Sequence, residues 1–388
     1  MKTRDIAVVV CTYQMPGHLE RVLASLSQQT IAAQMEVVIS DDGSRDETSD
    51  VVHRFARQVE FPVRFITHPR DGFQLARCRN EGFQATTAGC LLFLDGDCLV
   101  PPDHVQYHYS AVQPGVVTSG YCIRLDQPTS ERITVESVLR GEFARLSPPG
   151  EFRKLALMHL KSSFYNLIRH PRKPNLRGGN VGICRDDFLR VNGLDENFRA
   201  WGGEDDDLGW RMRAAGLRIV SVLDRTRTYH LWHPPTPTKV DRHHEQHHFD
   251  YLYRTFRLTR CLSGVVKRRP QDLLVRLVGQ PHDPPLAARI LKSLGLAARP
   301  WAGQTVDLEV VVVPGSGRFT GQADGNLLLA IEESAAARRH LRQAHLVLSK
   351  SGQFGLPRQV RLRLNDASGL WAALGSGTAQ AEVRRRAA

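Results

Sequence analysis

The hydrophobic period changes repeatedly over the first hundred residues, and this alternation is the feature that most constrains the fold. Short apolar runs, which are typical of buried strands, alternate with stretches whose apolar residues recur at helical spacing. We predict strands at 6–11, 36–40, 63–67 and 90–94, and helices at 18–29 and 74–86. Strands and helices that alternate in this way form βαβ units, so the sequence predicts an α/β domain on a mostly parallel, Rossmann-like sheet.

The chain has room for one large domain and an appendage. It contains 388 residues, and its composition changes after the prolines at 234, 235 and 237. Single domains seldom exceed about 250–300 residues. We therefore predict a main domain at 1–238, a basic helical segment at 239–300 and a C-terminal region of unknown role at 301–388. The last two would form an extension or a small α+β domain, in which Leu327–Gln343 is predicted to be helical.

Charge and cysteine content limit the class of partner and the location. Lys and Arg outnumber Asp and Glu by 52 to 40, and this net charge of +12 favours anionic partners such as nucleotides, nucleic acids or a membrane face. No apolar run approaches the roughly 18–20 residues that cross a bilayer. The N-terminal stretch fits a buried strand better than a signal peptide. The seven scattered cysteines indicate neither a disulfide framework nor a zinc site, so we expect a cytoplasmic protein.

Basic residues beyond the main domain indicate a peripheral contact with the anionic inner face of a membrane. A solvated helix face is the alternative interpretation. No recognition motif supports binding to nucleic acid. The basic residues are Arg254, Arg257, Arg260, Lys267, Arg268 and Arg269.

Acidic residues follow two of the predicted parallel strands. Asp41 and Asp42 follow the second strand, and Asp95 and Asp97 follow the fourth. Open α/β sheets bind ligands at the carboxyl ends of their strands. Carboxylates at that edge would hold a divalent cation that bridges a diphosphate, or accept hydrogen bonds from a nucleotide. An ordinary strand-ending turn and an acidic helix N-terminus are the alternatives.

Three further residues belong to the same predicted edge. Thr12 and Tyr13 follow the first strand and would line the same pocket, unless they form an ordinary turn. Arg79 lies in the helix predicted at 74–86 and would contact the base or the phosphates. A surface ion pair is the alternative for Arg79.

Four consecutive acids, Glu204, Asp205, Asp206 and Asp207, are the most unusual feature of the sequence. One or two acids stabilise a helix N-terminus, but four also repel one another, so the helix accounts for only part of the run. One of them, behind a Gly-Gly loop, would act as the general base for an acceptor hydroxyl. The preceding Trp201 would stack on a sugar ring or pack in the core.

Two groups of histidines resemble metal ligands. His230 and His233 follow a strand predicted at 217–223, and either would complete a divalent-metal site with Asp97. An ordinary surface histidine is the alternative. A second stretch, at 243–248, matches the H-E-x-x-H pattern of zinc proteases. We favour a solvated or acceptor-facing surface there, because the sequence offers no third ligand or cleft.

Taken in order, these motifs resemble the family two glycosyltransferases with the A-type nucleotide-sugar fold. The resemblance covers residues 5–235 and is strongest, through the WGGEDDD stretch, to the β-galactosyltransferase and chondroitin-polymerase branch. The matching stretches are VVVCTYQMPGHLERVLASL, EVVISDDGSRDET, ARCRNEGF, FLDGDCLVPPDH, RGGNVGICRDDFLRVNGLDENFRAWGGEDDDLGWRMRAAG and YHLWHP.

The resemblance implies a metal-dependent, inverting hexosyltransferase that uses Mn²⁺ or Mg²⁺ and a nucleotide-diphosphate sugar, expected to be a UDP-sugar. The donor would be bound by Thr12, Asp41, Asp42, Arg79 and Asp95. The metal would be bound by Asp97 with a histidine, preferably His230 rather than His233.

On the acceptor side, the resemblance implies that Asp205 is the catalytic base and that Glu204 and Asp206 hold the acceptor sugar, with Trp201 stacked on it. The acceptor would be a hydroxyl of a glycan or glycolipid in the synthesis of a surface polysaccharide or lipopolysaccharide. Two alternatives are a non-catalytic nucleotide-sugar or glycan-binding protein and a sugar nucleotidyltransferase. The second normally needs a basic, glycine-rich phosphate loop after the first strand, which residues 14–17 do not provide.

Overall fold

The structure is a computed structural model that divides the chain into two compact units, Met1–Lys239 and Val240–Ala388. In the first unit it describes residues 5–234 except 147, 149, 171, 172 and 200. In the second unit the described residues are 251–253, 257–269, 272–278, 284–293, 296, 306–313, 327–331, 341, 344–349, 351, 353, 360–363, 366, 369 and 370.

Strands of the first unit build one large and one small sheet. They are β1 (Ile6–Thr12), β2 (Met35–Asp41), β3 (Val63–Thr67), β4 (Cys90–Asp95), β5 (Cys98–Leu99), β6 (Val116–Ser119), β7 (Cys122–Arg124), β8 (Asn180–Cys184), β9 (Arg218–Ser221) and β10 (Thr228–His230). The large sheet has the order β3-β2-β1-β4-β8-β6-β9. Within it, β8 alone runs antiparallel to its neighbours, which confirms the predicted mostly parallel sheet.

Helices cover both faces of this sheet. They are α1 (Pro16–Ser27), α2 (Thr48–Ala56), α3 (Leu75–Gln84), α4 (His104–Ala111), α5 (Gln127–Arg132), α6 (Val135–Leu139), α7 (Glu151–Leu167), α8 (Arg185–Arg190) and α9 (Glu204–Ala214). Val8 and Val10 pack on one face in a core cluster with Leu19 and Val22 of α1, whereas Val9 faces α3. Burial on both faces explains why β1 is apolar along nearly its whole length.

The register of the strands brings the predicted acidic turns to one edge. Thr12 at the end of β1 pairs with Asp41 at the end of β2, and the neighbouring Cys11 pairs with Asp95 at the end of β4. The small sheet has the order β5-β10-β7, and its first strand in the chain, β5, closely follows β4. Because β5 begins directly after Asp97, its pairing with β10 carries the later histidine segment to the same edge.

The described part of the second unit contains a five-stranded sheet in which every strand runs parallel to its neighbours. Its strands, in chain order and in sheet order, are β11 (Val275–Val278), β12 (Leu308–Val313), β13 (Leu327–Ile331), β14 (Leu346–Ser349) and β15 (Val360–Arg363), with helix α10 (Pro284–Ser293) after β11. The prediction of a helix from Leu327 onward is wrong at its start, because a five-residue apolar run fits a buried parallel strand equally well.

Two predictions fall wholly or partly outside this description. The histidines at 243–248 and Arg254 lie outside the described residues. No helix among the residues that the structure describes is long and apolar enough to cross a bilayer.

Helix α9 is anchored by a fully buried ion pair. Arg211 Nε donates to Asp207 Oδ2 at 2.6 Å, and Arg211 Nη1 donates to the carbonyl oxygens of Val191 and Gly193. Both charged side chains are completely buried. Asp207, the last of the four acids, therefore fixes α9 on the protein core. The three acids before it lie in the first turn of the same helix.

We expect Arg211→Met to lower the free energy of unfolding by about 3 kcal/mol, because it leaves the Asp207 carboxylate buried without its cation. Urea denaturation followed by circular dichroism measures this change. Arg218→Met, the same substitution at an exposed position in β9, should change the free energy by less than about 0.5 kcal/mol. Equal effects of the two substitutions would contradict this role of the ion pair.

Candidate active site

The buried guanidinium of Arg79 lies at the centre of an acidic cluster. Arg79 Nη1 donates a hydrogen bond to Asp205 Oδ1 at 2.8 Å, and Nη2 donates to Asp95 Oδ1 at 3.1 Å. Glu204 Oε1 is 3.9 Å from Nη1. The Arg79 side chain is only 3% exposed, so it is not the surface ion pair considered as the alternative. One cation thus joins α3, the end of β4 and the first turn of α9.

The excess of acids in this cluster changes their affinity for protons. Burial, together with the neighbouring charge of Asp205, raises the pKa of Glu204 to about 8. Burial also raises the pKa of Asp95, and burial and Asp205 together raise that of Asp206. At pH 7 most of the Glu204 carboxyl is therefore protonated and can donate a hydrogen bond.

Two glycines allow the acids to approach the main chain. The amide of Gly178 donates to Asp205 Oδ2 at 2.8 Å, so Asp205 is held from both sides. A Cβ atom on Gly178 would overlap the Asp205 carboxylate, and one on Gly179 would overlap that of Asp95. No role was predicted for these two glycines from the sequence. The Gly-Gly step just before β8 was the available signal, but it does not say which side chain comes close.

A second cluster consists of Asp97, His230 and His233. Asp97 Oδ2 lies 3.4 Å from His230 Nε2 and 3.3 Å from His233 Nε2. The chain holds this arrangement through its backbone, because the amide of Leu231 donates to the Asp97 carbonyl at 2.9 Å. Burial opposes the Asp97 charge, but the hydrogen bond from His233 and both imidazoles outweigh it and lower the pKa of Asp97. The same hydrogen bond raises the pKa of His233.

The donor atoms of this cluster fit a divalent ion. Neighbouring ligands around an octahedral ion, each about 2.1 Å from it, are about 3 Å apart. The distances of 3.4 Å and 3.3 Å from the Asp97 oxygen to the two imidazole nitrogens are close to that spacing, and one ligand atom from each of the three residues lies within 4.8 Å of the others. Asp95, Asp97 and Cys98 form an adjoining group of possible ligands. The carboxylate oxygen suits Mg²⁺ or Mn²⁺, and neutral imidazole nitrogens are common ligands of divalent metals. Both predicted histidines come to Asp97, so the structure does not favour His230 over His233.

Asp41 and Asp42 lie at the same sheet edge but are already engaged by protein groups. Asp41 accepts hydrogen bonds from Ser44 and from Thr67 Oγ1 at 2.7 Å. Asp42 is paired with His68 at 3.0 Å and with Arg70. Both aspartates are nearly fully buried. Their carboxylates thus order the turn after β2 and the loop after β3, an arrangement that sequence alone could not show.

The remaining predicted site residues occupy the rim. Thr12 is buried, and its carbonyl accepts the Asp42 amide at 2.9 Å. The ring of Tyr13 lies under the Arg70 guanidinium, 3.7 Å from its central carbon. Trp201 is 61% exposed, which excludes the core position considered for it. The glycines that follow it, at 202 and 203, have φ values of +90° and +88°, so this loop requires residues without a side chain.

A cavity of about 170 Å³ opens beside the acidic cluster. Lys161, Lys173 and Arg177 bring positive charge to it, and Tyr165 contributes an aromatic ring. Lys173 and Arg177 act electrostatically on Asp206, which connects the cavity to the start of α9. None of these four lining residues was predicted to belong to the site, because no motif marks the segment before Arg177.

Comparison with protein families gives two adjoining matches. Residues 7–171 match the model "Glycosyl transferase family 2", and residues 158–234 match "N-terminal domain of galactosyltransferase". Together they span the first unit and contain every predicted site residue. The second match agrees with the predicted similarity to the β-galactosyltransferase branch.

Curated relatives include validoxylamine A glucosyltransferase of Streptomyces hygroscopicus subsp. jinggangensis, 33% identical over 224 residues, which are 55% of this chain and 53% of the relative. Chondroitin synthase of Escherichia coli is 25% identical over 250 residues, which are 61% of this chain and 36% of the relative. The chain thus spans about half the length, or less, of these relatives.

Among solved structures, a mannosyltransferase of Pyrobaculum calidifontis with GDP-Man and Mn²⁺ is 18% identical, with a TM-score of 0.45 over 65% of this chain and 63% of the other. S. aureus TarS with UDP-GlcNAc is 16% identical, with a TM-score of 0.45 over 61% of each chain. The two family matches and the curated relatives, with the acidic clusters at the sheet edge, lead to one assignment: residues 7–171 form a glycosyl transferase family 2 domain, which residues 158–234 continue with a match to the galactosyltransferase domain.

Proposed function

We propose that this glycosyltransferase moves a hexosyl group from a UDP-sugar to a hydroxyl of a glycan or glycolipid, with inversion at the anomeric carbon and with Mn²⁺ or Mg²⁺ bound at Asp97, His230 and His233. The observation that carries the proposal is the double hydrogen bond of Arg79 to Asp95 and Asp205. It joins the sheet edge that holds the metal-type cluster to the helix that carries the base.

The donor half of the site extends from Asp97 to the turn after β2. Departure of the nucleotide diphosphate develops negative charge, and a divalent ion at the Asp97 cluster would offset that charge when bound. Asp95 lies beside Asp97 and accepts a hydrogen bond from Arg79, so it would contact the ribose or the diphosphate of the donor. At the uridine end, Asp41 and Asp42 order the loops around the base, and Thr12 lies beside them.

Asp205 has the contacts expected of a general base. Arg79 and the Gly178 amide each bind one of its oxygens at 2.8 Å, which fixes the position of the carboxylate. Each carboxylate oxygen keeps a further lone pair for the proton of an acceptor hydroxyl. The Asp205 side chain is 27% exposed, so an acceptor can reach it.

Glu204 is suited to hold the acceptor rather than to take its proton. Its raised pKa keeps it mostly protonated at pH 7. Its Oε2 atom is buried without a hydrogen-bond partner among the described residues, and an acceptor hydroxyl would supply that partner. Asp206 and the exposed Trp201 would then contact the sugar further out. The relatives named as a glucosyltransferase and a chondroitin synthase support a hexosyl donor and a carbohydrate acceptor.

Metal dependence is tested with a panel of nucleotide sugars, with Mn²⁺, Mg²⁺ or EDTA. We expect donor hydrolysis and a thermal shift of the protein to be largest with a UDP-sugar and to disappear with EDTA. His230→Gln and His233→Gln should each raise the Mn²⁺ concentration needed for half-maximal activity at least about tenfold, because each removes a ligand atom.

The exposed His53 gives the matched control, since His53→Gln should leave the Mn²⁺ requirement unchanged. Full activity of the wild-type chain in EDTA would refute the metal-dependent mechanism. An equal response to every nucleotide would refute the choice of a uridine donor.

The role of Asp205 is tested by Asp205→Asn, which keeps the size of the side chain but replaces one acceptor oxygen with an NH2 donor and cannot take up the proton. Turnover should fall about 10²–10⁴-fold while donor affinity, measured by calorimetry, changes little. Asp186→Asn, at an exposed acid in α8, should keep full turnover. A non-catalytic binding protein would instead show no turnover in any form of the chain.

Gly178→Ala tests the close approach of the main chain at Gly178 to the Asp205 carboxylate. Its methyl group would overlap the Asp205 carboxylate and push the base away from Arg79, so we expect turnover to fall at least about a hundredfold, as displacement of a reacting group by 1 Å can cause. Gly89→Ala is the control, because a Cβ atom there meets nothing closer than 3.9 Å. Unchanged turnover in Gly178→Ala would show that the base does not depend on this contact.

A further inference from the structure

Helix α7 turns large apolar side chains toward solvent instead of the core. Leu157, Leu160 and Phe164 are 57%, 63% and 56% exposed, and Leu167 and Ile168 at the end of the helix are 80% and 50% exposed. Spacings of three and four residues place these five side chains on one side of the helix. We call them the outward apolar face of α7.

This concentration is specific to α7. The described residues include twelve exposed large apolar side chains, and six of them lie between 152 and 168. Single exposed apolar residues are normal on a protein surface, whereas a continuous exposed patch marks a surface that contacts something else.

The opposite side of α7 holds the helix to the first unit. Leu155 and Ser162 are buried, and Asn166 Nδ2 donates to the carbonyl of Ile219 in β9 at 2.8 Å. His159 Nδ1 lies 3.3 Å from Ser221 Oγ in the same strand. Because these contacts fix the rotation of the helix, the apolar face cannot turn inward without breaking them.

The surroundings of the outward face carry positive charge. From residue 152 to residue 177 the sequence contains seven Lys or Arg residues and no Asp or Glu. Arg153, Lys154, Lys161 and Arg169 belong to α7 or follow it directly, and all four are exposed. An apolar stripe with basic neighbours is the pattern of a helix that lies in the interface of an anionic bilayer.

We propose that α7 docks its outward apolar face into the surface of an anionic lipid bilayer, with its basic residues among the phosphate headgroups. This contact lies within the first unit and is distinct from the basic residues at 254–269. The excess of cations also opposes contact between two copies of α7, because the same positive charges would face one another.

The same helix also lines the cavity beside the acidic cluster. Met158, Lys161, Ser162 and Tyr165 of α7 contribute to its wall. Docking of α7 would therefore bring the entrance of the cavity close to the headgroup region. An acceptor carried by a membrane lipid would reach the site by this route, a consequence that rests on the proposed function, whereas the docking itself does not.

Cosedimentation of the full chain with vesicles tests the docking. We compare phosphatidylcholine vesicles with vesicles that also contain about 30% phosphatidylglycerol, at about 0.15 M and about 0.5 M salt. The wild-type chain should partition at least about tenfold more strongly onto the anionic vesicles at low salt, and the difference should shrink at high salt. No sugar donor or acceptor is needed, so failure here is separable from failure of the proposed transferase activity.

Two sets of variants locate the contact. Leu160→Glu with Phe164→Glu should reduce partitioning onto anionic vesicles more than about tenfold, whereas Leu189→Glu, at an exposed apolar position in α8, should leave it unchanged. Arg153→Gln with Arg169→Gln should weaken it about fivefold for each lost cation. Circular dichroism and thermal unfolding confirm that each variant is folded.

Three results would overturn the proposal. The first is no vesicle binding by the wild-type chain, and the second is equal binding by the folded Leu160→Glu, Phe164→Glu variant. The third is a wild-type dimer in light scattering that this variant converts to a monomer while vesicle binding is absent. That result would identify the face as an interface between copies of the chain.

Discussion

The buried charge of Arg79 is the interaction on which the rest of the site depends. Asp95 and the adjacent pair Glu204 and Asp205 come from two distant segments, and in a buried setting their mutual repulsion would keep the segments apart or protonate the acids. A guanidinium stays charged at any accessible pH and offers several donors in fixed directions. One residue can therefore bind two carboxylates at once and hold a third within 4 Å. Arg79 therefore links the two halves of the site directly.

The sequence predicted the sheet and the edge at which the site lies, because both follow from local pattern. Apolar runs that end in acidic turns determine where β2 and β4 stop, and parallel pairing then brings Asp41 and Asp95 to one edge. A site of Asp97 with His230 or His233 was predicted from the position of these histidines after a predicted strand, and the family resemblance implied the same site. Its structural cause is the pairing of β5 with β10, two strands too short to recognise by periodicity.

Features that depend on long-range packing could not be predicted. The hydrogen bonds and ion pairs that Thr67, His68 and Arg70 make with Asp41 and Asp42 depend on how two loops meet. The outward orientation of the apolar residues of α7 depends on which side of the helix β9 contacts. The start of β13 was misassigned because five apolar residues carry no period that separates strand from helix.

The first turn of α9 divides its acids between two tasks. Asp207 points inward to Arg211, while Glu204 and Asp205 point toward Arg79. Each residue along a helix rotates the side chain by about 100°. Insertion or deletion of one residue between Asp205 and Arg211 would therefore rotate either Asp207 away from Arg211 or Glu204 and Asp205 away from Arg79. Related chains can vary individual side chains here, but the length of this turn has to stay constant.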